Sequence, residues 1–340
     1  MSASDSPFAP DWASPPGETI LDLLEEKDLT RGQLAARLSE RETFVDRLIT
    51  GEAELTDRVA RVLEEVLGAS TRFWIAREDN YRREIARLDS SVTESDWAQR
   101  LPWKEMVAFG WLHTDDISPQ GIARAAFNYF GVRNLSEWRT RYGNVATAAG
   151  FRRSTAFAAK TESTAVWLRQ GEIIAAQARY PDWDADRFRA KLSYFRGLTR
   201  ISDPAKFIPE LTAAAMECGV CVAIVRAPTG CPVSGAARFL SPQLALIHLS
   251  FRYLSDDHFW FTFFHEAGHL LLHGHTTLHL EGSTPISHRE EHEANAFAGD
   301  ILVPPAMRPA MMALPLNGRE VVRFATKLGI APGIVVGQMQ

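Results

Sequence analysis

The sequence has few cysteines, no long apolar runs and no excess of positive charge. Its three cysteines, Cys218, Cys221 and Cys231, are too few for a disulfide framework and are typical of a reducing compartment. The C-x-x-C spacing of the first two has no second pair to complete a metal site, so we expect buried thiols at a helix-to-strand junction. No apolar run reaches the roughly 18 residues of a membrane span. The net charge is −5, so any contact with DNA must be local.

The first residues also lack the features of a secretion signal. MSASDSPFAPDWASPPGE is acidic and rich in proline and serine, with neither a basic start nor an apolar segment. We therefore expect a cytoplasmic protein that does not contact a membrane. Residues 334–337, close to the end of the sequence, are apolar, and we expect the natural protein to run further.

Length and residue patterning divide the chain into four parts. A chain of 340 residues exceeds what one core comfortably holds. We predict a disordered arm over residues 1–17, an all-helical domain over 18–84, a helical middle region over 85–212, and a domain over 213–340 in which short strands join the helices. The fold class is therefore α+β and mostly α. The tryptophans of the middle region are expected in the core rather than on a stacking platform for nucleic acid.

The strongest chemical signal is HEAGH at residues 265–269, an H-E-x-x-H pattern within a run dense in apolar residues. On a helix, His265 and His269 stand one turn apart, with Cβ atoms about 5–6 Å apart, so both imidazoles can bind one zinc ion. Glu266 points about 100° away in projection, which suits a general base beside a water molecule better than a ligand. A catalytic zinc site usually has three protein ligands, so the third must come from elsewhere.

A glutamate-rich segment downstream, EEHEANAFA at residues 290–298, offers the third ligand. If this segment is a helix, Glu291 and Asn295 share one face at positions i and i+4. We predict Glu291 as the ligand and Asn295 as a group that orients a ligand imidazole. Glu290 and Glu293 remain alternatives for the ligand.

Further histidines surround the motif. His273 lies about 12 Å along the helix axis from His265, too far to share one ion, so we interpret it as a residue of the helix C terminus. The sequence does not choose among four candidates for stabilising an oxyanion: His275, His279, His288 and His292.

The strands of the last domain are predicted from alternating apolar segments. Residues 220–225, 236–240 and 244–250 have this pattern and are separated by proline, glycine and serine. As an edge strand, residues 245–250 would bind an extended substrate by adding it to the sheet. We expect Asp256 or Asp257 to cap the following helix.

These motifs resemble those of the ImmA/IrrE family of zinc metallo-endopeptidases. The resemblance covers GAARF at 235–239, IHLS at 247–250, DHFWFT at 257–262, EHEANAFA at 291–298 and LVP at 302–304.

The resemblance implies a zincin-like peptidase domain whose small sheet packs on the H-E-x-x-H helix. It implies Zn²⁺ bound by His265, His269 and Glu291, with Glu266 as the base. Family members cut helix-turn-helix repressors in stress, mobile-element or phage-related circuits. A repressor or antitoxin is therefore the expected protein substrate.

Residues 18–84 resemble a Cro-repressor-type (XRE-type) helix-turn-helix domain of the HigA-like antitoxin branch. Thr30 and Gln33 form a capping box at the start of one helix. Phe73-Trp74 followed by Tyr81 closes the domain. By position, residues 40–49 would be the recognition helix.

The charge of this region disagrees with DNA binding. Residues 18–84 contain 11 lysines and arginines against 16 aspartates and glutamates, whereas a DNA-binding surface is usually basic. Arg41, Thr43 and Arg47 are the candidate DNA contacts, provided that the neighbouring carboxylates face inward or form salt bridges. Formation of a homodimer would double the number of these candidate DNA contacts. The alternative is a degenerate helix-turn-helix used for dimerisation or for docking a partner.

Two functions from different classes follow. The first is a zinc endopeptidase that acts on a repressor or antitoxin in a stress, toxin-antitoxin or phage-related circuit, with a helix-turn-helix module for DNA or partner binding. The alternative is a non-catalytic transcriptional regulator or antitoxin whose zinc domain serves as a sensor or partner-binding module.

Overall fold

A computed structural model describes residues 13–51, 53–113, 121–148, 155–250, 255–274, 279–280, 288–315 and 317–339. The chain forms two compact units, Met1–Leu101 with Ile117–Ala159 and Pro102–Asp116 with Lys160–Gln340. The middle region predicted over residues 85–212 contributes to both units. Most of the predicted arm lies outside the described residues.

Helices dominate the fold. In chain order they are α1 (Pro16–Glu26), α2 (Arg31–Leu38), α3 (Glu42–Ile49), α4 (Asp57–Leu67), α5 (Thr71–Ser91), α6 (Glu94–Gln99), α7 (Trp103–Ala108), α8 (Ile122–Phe130), α9 (Leu135–Ala148), α10 (Thr155–Ala176), α11 (Ala185–Leu198), α12 (Pro204–Met216), α13 (Asp256–Leu272), α14 (His288–Leu302), α15 (Arg308–Met312), α16 (Gly318–Leu328) and α17 (Pro332–Gln338), with a 3-10 turn at Pro305–Met307. The strands are β1 (Val220–Ile224), β2 (Gly235–Ser241), β3 (Leu244–Leu249) and β4 (His279–Leu280).

Helices α1 to α5 of the first unit enclose their own apolar core. The fully buried residues Ile20, Leu34, Leu63 and Trp74 belong to it. The predicted capping box of α2 is confirmed. The Thr30 hydroxyl accepts a hydrogen bond from the backbone N–H of Gln33, and the side-chain oxygen of Gln33 accepts one from the backbone N–H of Thr30. Local capping therefore fixes the start of α2, and the shared core packs α2 against α3.

Aromatic side chains form the core of the remaining part of the first unit. Trp97, Phe130, Trp138 and Tyr142 are buried, and the rings of Trp97 and Trp138 have centroids 5.0 Å apart. These contacts confirm that the tryptophans at 97 and 138 are core residues. Trp167, in the second unit, is also fully buried.

The sheet of the second unit has the strand order β1-β3-β2-β4. β1 pairs with β3 in parallel, while β2 pairs antiparallel with both β3 and β4. The three predicted strands are confirmed to within about two residues, and β4 was not predicted. The prediction of residues 245–250 as an edge strand is wrong, because β3 lies between β1 and β2. Its backbone is occupied by those two neighbours and cannot add a substrate strand.

Each face of the sheet packs against helices. On one face, Val222, Ile247 and Ala237 lie in register across three strands and join Phe259 and Phe263 of α13 in one apolar core. This arrangement fixes α13, the H-E-x-x-H helix, against the sheet.

The other face of the sheet contacts α10. The Trp167 ring stacks on His248 with centroids 3.8 Å apart, and its indole N–H donates to the Val225 carbonyl over 3.0 Å. Arg238 of β2 forms an ion pair with Glu172 of α10 at 2.7 Å.

Other predictions for this unit had mixed outcomes. The N-cap of α13 is Ser255, so the prediction of Asp256 or Asp257 as the cap is wrong. Both aspartates lie in the first turn instead, where negative charge also stabilises a helix.

The three cysteines are free and buried, as predicted. Within the described residues, none of the helices combines the length and apolar character that crossing a membrane requires.

Candidate metal centre

The helix α13 holds both motif histidines in the protein interior. Trp260, Phe263 and Phe264 are almost completely buried in the core. A helix that is apolar nearly all round is expected to be buried. His265 and His269 are therefore only 2% and 1% exposed although they are polar.

Small residues let α14 approach α13 closely. A Cβ atom added at Gly268 would lie 3.3 Å from the Cα of Ala294 and 3.0 Å from the Phe297 ring. Ala294 and Ala298 are fully buried on the facing side of α14. This contact brings Glu291, one turn before Ala294, towards the two histidines.

Three side-chain atoms converge between these helices. The Nε2 atoms of His265 and His269 are 3.0 Å apart, and each lies 3.4 Å from an oxygen of Glu291. Ligand atoms about 2.0–2.1 Å from a tetrahedral zinc ion stand roughly 3.3–3.4 Å from one another. Donor types and spacing therefore both fit a zinc ion, and among the described residues this is the one group of this kind.

The protonation states of Glu291 and His269 also fit metal binding, which requires a carboxylate and neutral imidazoles. Burial raises the pKa of Glu291, but the close contacts with the imidazoles of His265 and His269 outweigh that effect and lower the pKa to about 2. Burial lowers the pKa of His269 below its ordinary value, although the contact with the Glu291 carboxylate opposes this. Near neutral pH, Glu291 is an anion and His269 is neutral.

Asn295 contacts the first of the two histidines. Its side-chain oxygen lies 3.0 Å from Nδ1 of His265. Because an amide oxygen only accepts hydrogen bonds, Nδ1 of His265 is the donor in this contact, and in the neutral ring that a metal ligand requires Nε2 then presents a lone pair to the centre of the group. The structure thus brings Asn295 to the position expected of a group that orients a ligand.

The second histidine has a different partner, which sequence reasoning missed. Nδ1 of His269 lies 3.0 Å from Nδ1 of His273, and Nε2 of His273 lies 3.2 Å from a Glu293 oxygen. Glu293 also accepts from Arg289 over 2.7 Å. The signal was present in the sequence, since His273 follows His269 by one helical turn.

Comparison with known protein families agrees with this arrangement. Residues 223–336 match the family model of the M78 peptidases, the IrrE N-terminal-like domain. The match supports the resemblance to the ImmA/IrrE family and suggests a metallopeptidase-type function for this part of the chain. No curated protein matches the chain. Residues 223–336 are called the IrrE-like domain below.

Glu266 of the IrrE-like domain is fully buried beside the histidines. Its carboxylate lies against the backbone of Gly235 in β2, where an added Cβ would come within 2.5 Å of Oε1 and 2.4 Å of Thr262 Cγ2. The first residue of β2 and the helix α13 together therefore fix the position of this side chain.

The remaining glutamates and histidines of the IrrE-like domain lie outside the metal-ligand group or outside the described residues. The group contains Glu291 and neither Glu290 nor Glu293, and Glu293 contacts His273 and Arg289 instead. His275 and the side chains of His279 and His288 lie outside the described residues, and His292 is exposed on α14.

The predicted DNA contacts lie in the first unit. Arg41 is the N-cap of α3, and Arg41, Thr43 and Arg47 are exposed. Two neighbouring carboxylates form ion pairs: Asp46 with Arg31 at 3.0 Å and Glu40 with Arg58 at 2.6 Å.

Proposed function

We propose that the chain is a zinc-dependent endopeptidase that cuts a regulatory protein of the repressor or antitoxin type. One observation carries the proposal. His265, His269 and Glu291 converge at the spacing of a tetrahedral site. Glu266 follows the first ligand in a domain that matches a peptidase family. Two histidines and a glutamate with an H-E-x-x-H helix form a gluzincin-like ligand set.

The proposed mechanism assigns a role to each side chain. When bound, the zinc ion supplies a Lewis acid that lowers the pKa of a water molecule towards about 7 and polarises a carbonyl. Glu266 accepts the proton of the attacking water and later donates it to the leaving amine, as the C–O bond forms and the C–N bond breaks. Asn295 keeps His265 in the tautomer that presents Nε2. The closely packed apolar helix limits the access of bulk water to these groups.

The first unit supplies the proposed regulatory context. Helices α2 and α3 serve as a helix-turn-helix module that binds DNA or a partner, and a homodimer would present two such modules. The substrate is then a protein of the same stress, toxin-antitoxin or phage-related circuit. A cytoplasmic setting is consistent with three buried free thiols.

A cleavage assay with paired variants tests this function. Wild-type protein loaded with zinc is incubated with the regulatory proteins encoded beside it, and Glu266→Gln protein serves as the matched control. We expect cleavage by the wild type and loss of cleavage in Glu266→Gln with zinc retained, because the amide keeps the shape and loses the base. Equal inertness of both proteins towards every partner would contradict the proposal.

A non-catalytic regulator is the second candidate, and the ion pairs around α3 favour it. Asp46 and Glu40 are engaged by Arg31 and Arg58, which reduces the negative charge that opposes a phosphate backbone. In this reading the metal centre senses a ligand or partner. Shift of promoter DNA by wild-type and Glu266→Gln protein alike, with no cleavage, would favour this candidate over the peptidase.

A further inference from the structure

The two histidines of the candidate metal centre differ in what lies behind them. His265 faces the neutral amide of Asn295. His269 faces His273, whose side chain is only 4% exposed, and His273 in turn contacts Glu293 and, through it, Arg289. His269, His273, Glu293 and Arg289 thus form a row of contacts. The exposed fraction of the side chains rises along this row, to 38% for Glu293 and 85% for Arg289. The row therefore runs from the buried ligand to the protein surface.

Hydrogen-bond chemistry gives this row a single direction. A metal ligand presents its Nε2 lone pair, so Nδ1 of His269 carries the proton and donates to Nδ1 of His273. His273 then carries its own proton on Nε2 and donates it to the Glu293 carboxylate, 3.2 Å away. Glu293 accepts from the Arg289 guanidinium on its other oxygen. Every donor of the row then meets an acceptor. If His273 instead donated to Nδ1 of His269, a neutral His269 would carry its proton on Nε2 and would have no lone pair there for the metal.

We propose that His273 is a positioning residue that fixes His269 for zinc and, with Glu293 and Arg289, makes His269 the more strongly supported of the two histidine ligands. The inference rests on the proposed zinc centre. A histidine that donates towards a carboxylate, directly or through a neighbour, is held in one tautomer and orientation and is a more basic ligand. Asn295 orients His265 through a neutral amide.

Zinc affinity measured by competition with a chromophoric chelator tests the proposal without any substrate. We expect His273→Ala to weaken zinc binding by about 10–100-fold, the usual effect of removing a group that orients a ligand. His273→Asn restores an acceptor for His269 and loses the link to Glu293, so its affinity should lie between those of His273→Ala and wild type. Glu293→Gln should cause a smaller loss than His273→Ala.

Two control variants match these changes. His258→Ala removes another histidine of α13, one that is 57% exposed in the first turn. Glu320→Gln neutralises a glutamate that pairs with Arg323 on α16. Both should bind zinc as the wild type does.

A spectroscopic readout separates positioning from general loss of structure. In cobalt-substituted protein, the Nδ1 protons of the two ligand histidines give separate, paramagnetically shifted NMR signals that exchange with solvent. We expect His273→Ala to speed the exchange of one signal and leave the other unchanged, and Asn295→Ala to affect the opposite one.

The outcomes distinguish this inference from the proposed function. Normal zinc affinity and slow exchange in His273→Ala and His273→Asn would overturn the positioning role and leave the zinc centre intact. A wild-type protein that binds no zinc would overturn the centre and this inference together.

Discussion

The backbone of Gly235 lies directly against the carboxylate of Glu266, so that a Cβ at this position would stand 2.5 Å from Oε1 and 3.0 Å from Cγ. Gly235 is the first residue of β2, which pairs with the interior strand β3. The side chain of Glu266, which we propose as the base, is thus confined between the strand β2 and its own helix α13. Only a residue without a side chain leaves it this room.

We therefore expect Gly235→Ala to impair catalysis while zinc remains bound. Overpacking a filled site costs about 1–3 kcal/mol, and here the movable neighbour is the Glu266 carboxylate. Turnover should fall by at least about tenfold, which corresponds to about 1.4 kcal/mol. Turnover and zinc content are measured on the same preparation. Gly318→Ala is the control, because a Cβ there meets nothing within 4 Å. Unchanged turnover in Gly235→Ala would contradict the proposed placement of the base.

Removal of the third ligand should affect the metal itself. Glu291→Ala leaves two histidines on one helix, and we expect its zinc affinity to fall by more than the about 10–100-fold typical of a group that only orients a ligand. The measurement is the dissociation constant of zinc. Glu290→Ala, one residue earlier on α14, should bind nearly as tightly as wild type. The reverse order would transfer the ligand role to Glu290.

The local parts of the site could be predicted from sequence, and the parts that depend on tertiary packing could not. His265 and His269 share a face because their spacing is a property of one helix. The position of Glu291 depends on how α14 packs on α13. The residues alone therefore favoured Glu291 but left Glu290 and Glu293 open as ligands, and the family resemblance then implied Glu291.

The position of β3 in the sheet depends on long-range pairing, which the local pattern does not specify. One signal did exist, because the apolar run LALIHL at Leu244–Leu249 is typical of a strand covered on both faces. The role of His273 was missed for a related reason. The distance from His265 excluded a shared ion, but the direct contact with His269 depends on side-chain rotamers.

His248 gives a prediction about stability and pH. Its ring is fully buried on the α10 face of the sheet, and within the described residues neither ring nitrogen has a hydrogen-bond partner. Burial, and then the charge of Arg238, lower the pKa of His248 well below its ordinary value. The other charges of this ion-pair group are Glu172, which pairs with Arg238, and Arg169, which pairs with Glu172.

The folded state therefore excludes a proton that the unfolded state binds below about pH 6.5. Stability that is present above this pH is lost as the pH falls towards the lowered pKa, by up to about 1.4 kcal/mol per pH unit. His248→Phe keeps a ring against Trp167 and removes this loss. As the pH falls from 7.5 to 5, the free energy of unfolding of the variant should therefore rise relative to that of the wild type. Urea unfolding at both pH values measures the difference. A gain no larger than that of exposed His258→Gln would contradict this account.

DNA binding through α3 should depend on salt and on two arginines. If Arg41 and Arg47 contact phosphates, Arg41→Ala/Arg47→Ala protein should bind DNA more weakly and with a shallower salt dependence, because fewer counterions are released. Electrophoretic shift or fluorescence anisotropy at several salt concentrations measures both effects. Arg319→Ala/Arg323→Ala removes the same charge from α16 as a control. Equal binding by all three proteins would point to docking or dimerisation as the role of these helices.

The most direct test of the central claim is anomalous X-ray diffraction at the zinc absorption edge from crystals of the purified protein. We predict one strong anomalous peak between Nε2 of His265, Nε2 of His269 and the Glu291 carboxylate, absent from Glu291→Ala crystals grown in the same zinc concentration. A fully loaded wild-type crystal with no peak there, or with its peak on other side chains, would contradict the claim that these three residues form the metal centre.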